Sequence, residues 1–130
     1  MARLATVSGE HVAKFVGERV GSIIYPPFTC LGIEKDNEIV AGAVFNCFSG
    51  NDVEVTIAGQ GWTRGFIRDV GRYVFDQLRC LRISITTEQP KVVSFAERLG
   101  GAVEGMKPDF YGEGRDAFLV GIRKKDFVIR

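Results

Sequence analysis

Three arginines lie at the start of a predicted helix, where basic side chains are unusual. Arg64, Arg68 and Arg72 recur every four residues and so share one helix face. The first turn of a helix exposes unpaired amide protons and a partial positive charge, which favours acidic side chains. Like charges at this spacing cost about 0.2–0.5 kcal/mol per pair, and a bound anion would remove that cost. An anion site and a solvated face paired with Asp69 and Asp76 explain the pattern equally well.

The segment before this helix predicts a strand and a flexible turn. Three glycines, Gly59, Gly61 and Gly65, would let a phosphate approach backbone amides. In the strand, one face carries Val53, Val55 and Ile57, and the other carries Glu54, Thr56 and Ala58. Ligands of mixed sheets tend to bind at the carboxyl ends of strands. The turn after Ile57 is therefore the first place to expect a site.

The remaining elements follow from hydrophobic periodicity and turn signals. A helix is predicted over roughly Gly9 to Arg19 with Ser8 as its cap. Later elements are a hairpin, the strand that carries Glu54, a helix, a strand, a short helix opening at Pro90, and two closing strands joined by a loop. Their ranges are Cys30–Glu34, Ile39–Phe48, Val53–Ala58, Arg64–Leu78, Leu81–Ile85, Pro90–Leu99, Ala102–Met106 and Asp116–Arg123, with Lys107–Arg115 as the loop. The order αβββαβαββ predicts one α/β (α+β) domain over residues 1–130, a mixed sheet flanked by helices.

Composition narrows the classes of function. The chain has 130 residues, a net charge of +1 and no long apolar run, so we expect a cytoplasmic protein with no membrane partner and no general nucleic-acid binding. Cys30, Cys47 and Cys80 form no CxxC pair, and His11 is the single histidine. This composition gives no support for a metal site and leaves one candidate for any histidine-dependent catalysis.

Several segments resemble one enzyme family. Ile57–Ile67, with the sequence IAGQGWTRGFI, resembles the cofactor segment of the GNAT N-acyltransferases, in which a strand runs into Q/R-x-x-G-x-G/A and then a helix. Ser94–Gly100 resembles the second cofactor-side helix of the family. Val103–Gly105 and Asp109–Asp116 resemble the closing hairpin of the branch that acetylates protein N-terminal amines and related small amines. The resemblance covers nearly the whole chain and implies acetyl-CoA as cofactor and an amine-bearing acceptor, either a small molecule or a peptide.

The resemblance also implies which residues contact the cofactor. With Gly65 as the central glycine, Trp62 takes the usual glutamine or arginine position and Ile67 the second small residue. Backbone amides of Gly65–Arg68 would hold the pyrophosphate, and Trp62 could instead be a half-exposed apolar anchor. Pro90-Lys91 occupies the place where the family often has an asparagine that contacts pantetheine, and Phe95 stands where many members have their acid tyrosine. The implied cofactor-binding set is Ile57, Ala58, Trp62, Thr63, Arg64, Gly65, Phe66, Ile67, Arg68, Lys91 and Phe95.

Two residues are candidates for proton transfer. In the implied mechanism an amine attacks the thioester directly, so it must first lose a proton. Glu54 is the candidate base, with a surface glutamate that pairs across the sheet as the alternative. Tyr111 is the candidate acid for the leaving thiolate, with a packing or substrate-binding aromatic as the alternative.

Two other functions compete with the enzyme reading. One is a non-catalytic acyl-CoA-binding or regulatory module that keeps the fold, and the other is an interaction domain without a ligand. The segment Val20–Thr29 is short where the family commonly carries another helix. We therefore expect an open acceptor pocket, suited to a peptide, a large macromolecule or a site that a second subunit completes in a homodimer.

Overall fold

The computed structural model describes residues 4–21 and 23–129. These residues form a seven-stranded sheet in the order β1-β2-β3-β4-β5-β7-β6, in which only β4 and β5 pair in parallel. The strands are β1 Leu4–Val7, β2 Phe28–Lys35, β3 Glu38–Asn46, β4 Asp52–Gly59, β5 Arg82–Thr87, β6 Ala102–Gly112 and β7 Arg115–Arg123. The helices are α1 Glu10–Val20, α2 Arg64–Gly71 and α3 Pro90–Arg98, with a π-helical segment Arg72–Gln77 directly after α2 and a 3-10 turn Lys124–Asp126. None of these helices is long and apolar enough to cross a membrane.

Helices cover both faces of the sheet. On one face α1 packs so closely that an added Cβ at Gly42 would lie 2.8 Å from Val16 Cγ2. On the other face α2 packs against the buried side chains of β4 and β5, among them Val55 and Ile83. The alternation predicted for β4 is confirmed, since Val53 and Val55 lie in this second core. Glu54 therefore faces the α1 side.

The start of the chain differs from the sequence prediction. An additional strand, β1, precedes α1 and pairs with β2, so the order is βαβββαβαββ. Four residues are too few to show a clear alternation, and the pairing with β2 determines the strand. Ser8 is not the cap of α1, because Gly9 occupies the N-cap position and no side chain caps the helix.

The closing hairpin is also longer than predicted. The segment Lys107–Arg115 is not a loop, since β6 continues to Gly112 and β7 begins at Arg115. This part of β6 is exposed on both faces, contains Pro108 and has a register shift between Lys107 and Gly112. A strand with no buried face and a proline lacks the alternation that identifies strands in a sequence. The extension matters because it carries Tyr111.

Candidate active site

The two parallel strands separate halfway along their length. They pair at Asp52↔Arg82, Val53↔Ile83 and Glu54↔Ser84, which are the pairs described for them. Beyond these pairs β4 continues to Gly59 and β5 to Thr87. A gap therefore opens between the carboxyl ends of β4 and β5, at the edge where ligands of such sheets tend to bind.

Backbone groups of β4 point into this gap. The Gln60 amide donates to Val40 O at 2.9 Å. This bond lies in the same register that pairs Ala58 with Gly42, so the backbone groups of Ala58 and Gln60 point toward β3. Backbone polar groups alternate between the two sides of a strand. The amides and carbonyls of Val55, Ile57 and Gly59 therefore point away from β3. Buried backbone groups require partners, so this edge of β4 is suited to hydrogen bonds with an extended ligand.

A cavity of about 310 Å³ opens on the α1 face beside the gap. Glu54 and Tyr111 both line it, so the structure brings the two residues with predicted proton-transfer roles together. Residues 23–25, which follow α1, form one wall and are not helical, in line with the short segment noted in the sequence. The other lining residues are Val20, Ile23, Ile24, Tyr25, Asn46, Cys47, Thr56, Ile57, Ile85, Thr86, Thr87, Glu88, Gln89, Val92, Lys107 and Phe110.

Thr86 connects the two candidate residues. The Tyr111 hydroxyl donates to Thr86 O at 3.1 Å, and the Thr86 hydroxyl and amide interact with the Glu54 carboxyl. Burial raises the pKa of Glu54, and the nearby Asp52 adds to this, while the bonds from Thr86 and the charge of Lys107 oppose it. A carboxylate whose pKa lies above its ordinary value is a stronger base, which is what proton removal from an ammonium requires.

The environment of Tyr111 keeps its hydroxyl protonated. Burial raises the pKa of Tyr111, and the negative charges of Glu88 and Glu54 raise it further. The phenol therefore holds its proton at neutral pH and can act as a donor. Its ring packs edge-on against Phe110, with 4.9 Å between the ring centroids, so the hydroxyl is held in place at the cavity wall.

The first turn of α2 forms the helix side of the gap. Thr63 is the N-cap of α2, and its hydroxyl accepts the Phe66 amide at 3.0 Å. The Ile67 amide donates to Thr63 O at 3.1 Å, and the Arg68 amide lies beyond the first turn, within the helical hydrogen-bond ladder. The Phe66 and Ile67 amides thus already bind Thr63, because the helix begins at Arg64. The predicted contact of the Gly65–Arg68 amides with a pyrophosphate stays a prediction. The amides of Arg64 and Gly65 have no preceding helical carbonyl to bind.

Gly65 leaves the approach to these amides open. A Cβ added there would have no atom within 4 Å, and the neighbouring Arg64 is exposed. An anion could therefore reach the helix N-terminus and a guanidinium together.

Trp62 packs between α2 and α3. Its ring centroid lies 5.5 Å from that of Phe66 and 6.0 Å from that of Phe95. A small apolar cavity of about 40 Å³ lies among these rings and the sheet. Ile57 and Ile85 line this cavity and also the larger one on the opposite face. Because these two residues lie on the diverging strands, the gap joins the helix side of the sheet to the cavity that contains Glu54.

Comparison with known proteins identifies the fold. No protein-family model and no curated protein matches the sequence. Mutant forms of the spermidine/spermine N-acetyltransferase SpeG from Vibrio cholerae superpose with a TM-score of 0.73 at 14% identity, over 95% of this chain and 96% of theirs. The Vibrio cholerae spermidine N-acetyltransferase in complex with CoA and spermine gives 0.70 at 14% identity, over 96% of both chains. Its dodecameric structure gives 0.70 at 15% identity, over 95% of this chain and 94% of that chain.

The chain has the GNAT N-acetyltransferase fold. The fold expected from the sequence resemblance is thus confirmed, with β1 as the addition noted above. In the GNAT fold of this chain, Lys91 is exposed on the first turn of α3 and lines neither cavity. Phe95 faces Trp62 rather than Glu54, and Ala58 packs with the α1-face core. The cofactor roles of these residues stay predictions.

Sequence reasoning did not single out several polar residues of the cavity. Thr86, Asn46, Lys107 and Glu88 line it together with Glu54. Two of them had a signal in the sequence. A parallel β4-β5 pair puts alternate residues of β5 on the face of Glu54, which includes Thr86, and the β3-β4 hairpin puts Asn46 opposite Glu54. Lys107 and Glu88 depend on the long β6 strand and on the turn before α3, which the sequence pattern does not reveal.

Proposed function

We propose that the chain is an acetyl-CoA-dependent N-acetyltransferase that transfers an acetyl group to a primary amine. The observation that carries the proposal is the gap between β4 and β5. It leads from the open turn at Gly65 to a cavity in which Glu54 and Tyr111 share Thr86 as a partner. An acyl donor held in the gap would present its reactive end to both side chains. The similarity to an acetyltransferase whose structure contains CoA and spermine supports this proposal.

The residues available for the cofactor form a continuous path. The amides of Arg64 and Gly65 and the Arg64 guanidinium would receive the pyrophosphate. The outward-facing backbone groups of Val55, Ile57 and Gly59 would bind the amides of the pantetheine arm, as a neighbouring strand would. This assignment keeps the predicted turn as the pyrophosphate site, but it uses the amides of Arg64 and Gly65 instead of those of Phe66 to Arg68.

The chemistry requires the acceptor nitrogen to lose two protons and the sulfur to gain one. Acetyl-CoA supplies an acetyl thioester. Glu54 accepts a proton from the acceptor ammonium and frees the nitrogen lone pair to form the new N–C bond. As the C–S bond breaks, the Tyr111 hydroxyl donates its proton to the sulfur, and the second proton of the acylated nitrogen returns to the Tyr111 phenolate. The products are a neutral amide and a thiol, and Glu54 then releases its proton to water. A backbone amide of β4 that faces the gap would donate a hydrogen bond to the thioester carbonyl and stabilise the negative charge that develops there.

The proposal also covers the acceptor group, the cellular location and the oligomeric state. We expect the acceptor to be a free amine rather than an alcohol, because Glu54 is suited to take a proton from an ammonium. We also propose a cytoplasmic enzyme and a homodimer that would narrow the open side of the cavity. The neighbouring enzyme has been observed as a dodecamer, so size-exclusion chromatography with light scattering is the first measurement for the oligomeric state.

A thiol-release assay tests the proposed transfer. Purified protein with saturating acetyl-CoA and a panel of amines should release coenzyme A. Glu54→Gln and Tyr111→Phe should each lower kcat by about 10²-fold or more, the usual range for a general base or acid, and both should still bind acetyl-CoA. Glu97→Gln and Tyr73→Phe are matched controls, since Glu97 is exposed on α3 and the Tyr73 hydroxyl bonds Thr29 at 2.6 Å outside the cavity.

Two results would contradict the proposal in different ways. Tight binding of acetyl-CoA without acetylation of any amine, including labelled transfer in cell extract, would make the chain an acyl-CoA-binding module. If acetyl-CoA gives neither calorimetric heat nor a melting shift, the assignment of acetyl-CoA as the cofactor is refuted.

A further inference from the structure

We propose that the acceptor is a small primary amine with one positive charge and an apolar, aromatic-sized body, and not a polyamine. This inference rests on the proposed function and adds the substrate class of the same cavity. Three features of the cavity carry it: the hydrogen-bond acceptors at its floor, the balance of charge on its walls, and the apolar side chains at its rim.

The floor offers acceptors for a single ammonium group. Asn46 lies directly opposite Glu54 in the β3-β4 pair, and both line the cavity. Asn46 Oδ1 is buried and has no hydrogen-bond partner among the described residues, while Asn46 Nδ2 donates to Tyr25 O at 3.4 Å. A buried acceptor without a partner is costly unless a ligand binds it. An ammonium has three donors and could bind Glu54 and Asn46 together.

The walls offer no second site for a cation. Glu88 is the other carboxylate of the cavity, and Arg115 already binds it through two hydrogen bonds, with 3.1 Å between Nε and Oε2. Lys107 also lines the cavity, and its Nζ lies 5.3 Å from the centroid of the Phe110 ring. The positive charges of Lys107 and Arg115 balance the negative charges of Glu54 and Glu88. A second or third ammonium would meet these cations instead of an unpaired carboxylate.

The rim consists of large apolar side chains that are open to solvent. Ile23 is 76% exposed, Tyr25 is 69% exposed and Phe110 is 49% exposed, and all three line the cavity. Apolar side chains gathered around a concave site are typical of ligand pockets in which polar groups fix orientation and apolar groups bind the body. The volume of about 310 Å³ is at the small end for such pockets, which suits an arylalkylamine.

Steady-state coenzyme A release and calorimetric amine binding, measured with a panel of amines in parallel, test the inference. We expect kcat/KM for phenethylamine and hexylamine to exceed that for putrescine, spermidine and spermine by at least about tenfold. Tyr25→Ala and Phe110→Ala should raise KM for phenethylamine by about tenfold, the loss expected when part of an apolar contact is removed. We expect little change in kcat for Tyr25→Ala, whereas Phe110→Ala also removes the ring that packs against Tyr111 and should lower kcat as well. Phe48→Ala is the matched control, because Phe48 is 55% exposed and lies outside the cavity. Lys107→Glu should shift the preference toward putrescine by supplying a second carboxylate.

The outcomes separate this inference from the proposed function. Coenzyme A release that is faster with spermidine or spermine than with phenethylamine would overturn the acceptor class and leave N-acetyl transfer intact. If the protein binds phenethylamine in the presence of coenzyme A through Tyr25 and Phe110 but releases no coenzyme A with any amine, transfer is refuted and the ligand class is retained. Equal loss of affinity in the Phe48 and Phe110 variants would also overturn the inference.

Discussion

Gly65→Glu should make the protein more stable while abolishing its binding of acetyl-CoA. Gly65 is the second residue of α2, and an added Cβ meets no atom within 4 Å. A side chain at this position therefore disturbs no packing in the absence of ligand. The same open space is where the cofactor pyrophosphate would approach the amides of Arg64 and Gly65. A carboxylate there would occupy the approach and repel the phosphate charges.

The two effects have opposite signs and measurable sizes. Removal of a helical glycine gives about 0.4–1 kcal/mol, and an acidic group in the first helical turn gives about 0.3–1 kcal/mol. The free energy of unfolding of the ligand-free protein should rise by about 1 kcal/mol, or about 4 °C in Tm for a domain of this size. Acetyl-CoA at one hundred times its Kd should stabilise the wild type by about 2.7 kcal/mol, or about 10 °C. That shift should be absent in the variant.

Thermal melting with and without acetyl-CoA measures both effects in one experiment, and isothermal titration calorimetry checks the affinity. Gly65→Ala serves as the matched control, because it removes the glycine without adding charge and should retain most of the ligand-induced shift. A full acetyl-CoA shift in Gly65→Glu would mean that the pyrophosphate does not lie at this turn. A lower Tm of the ligand-free variant would contradict the argument from open space.

Further predictions concern Glu54 and the two glycines that follow it at the end of β4. The acid limb of the pH profile of kcat/KM should lie above the ordinary glutamate value of 4.5, since burial raises the pKa of Glu54, and the limb should vanish in Glu54→Gln. The same burial penalises the charged form of Glu54 in the folded protein. Glu54→Gln should therefore raise the free energy of unfolding once the pH exceeds the raised pKa, with no gain below pH 4.5. Urea titrations that give a constant difference between variant and wild type across this pH range would refute the burial argument. Gly59→Ala should cost about 3 kcal/mol or more, because Gly59 has φ +102° and its Cβ would lie 2.1 Å from Val40 O. Gly61→Ala, with φ +84° and its nearest atom at 3.7 Å, should cost only about 1–2 kcal/mol in the same urea titration.

The sequence was informative wherever one face of an element is buried. The alternation around Glu54 correctly predicts which β4 side chains share a face of the sheet, because a one-residue shift would exchange Val53 and Val55 with the opposite set. The helix from Arg64 and the proline at the start of α3 were equally readable, since each combines a polar start with an apolar stripe. These local signals place the glycine-rich turn at the end of β4 without reference to the rest of the chain.

The cavity depends on features that are not local. Tyr111 reaches Thr86 because β6 continues through an exposed segment that has no buried face, so no periodicity marks it as a strand. The separation of β4 from β5 is a property of two strands that are far apart in sequence. Asn46 shows the same limit, because its role depends on which residue of β4 lies opposite it. Side-chain pattern predicts each strand, while contacts between strands determine the site.

A network of side chains explains why the gap begins at Glu54. Ser84 Oγ donates to Asp52 Oδ1 at 2.7 Å, and Arg82 Nη1 donates to Glu104 Oε2 at 3.1 Å. The Arg82–Glu104 pair crosses Gly121, where an added Cβ would lie 2.3 Å from Arg82 Nη2. Both contacts are partly exposed, and the Arg82–Glu104 ion pair contributes no more than about 1 kcal/mol. They join β4 to β5 at their amino ends and tie β5 to β6, so the two strands can separate only beyond Glu54 and Ser84. The open end of the sheet is thereby fixed beside the carboxylate that would act as the base.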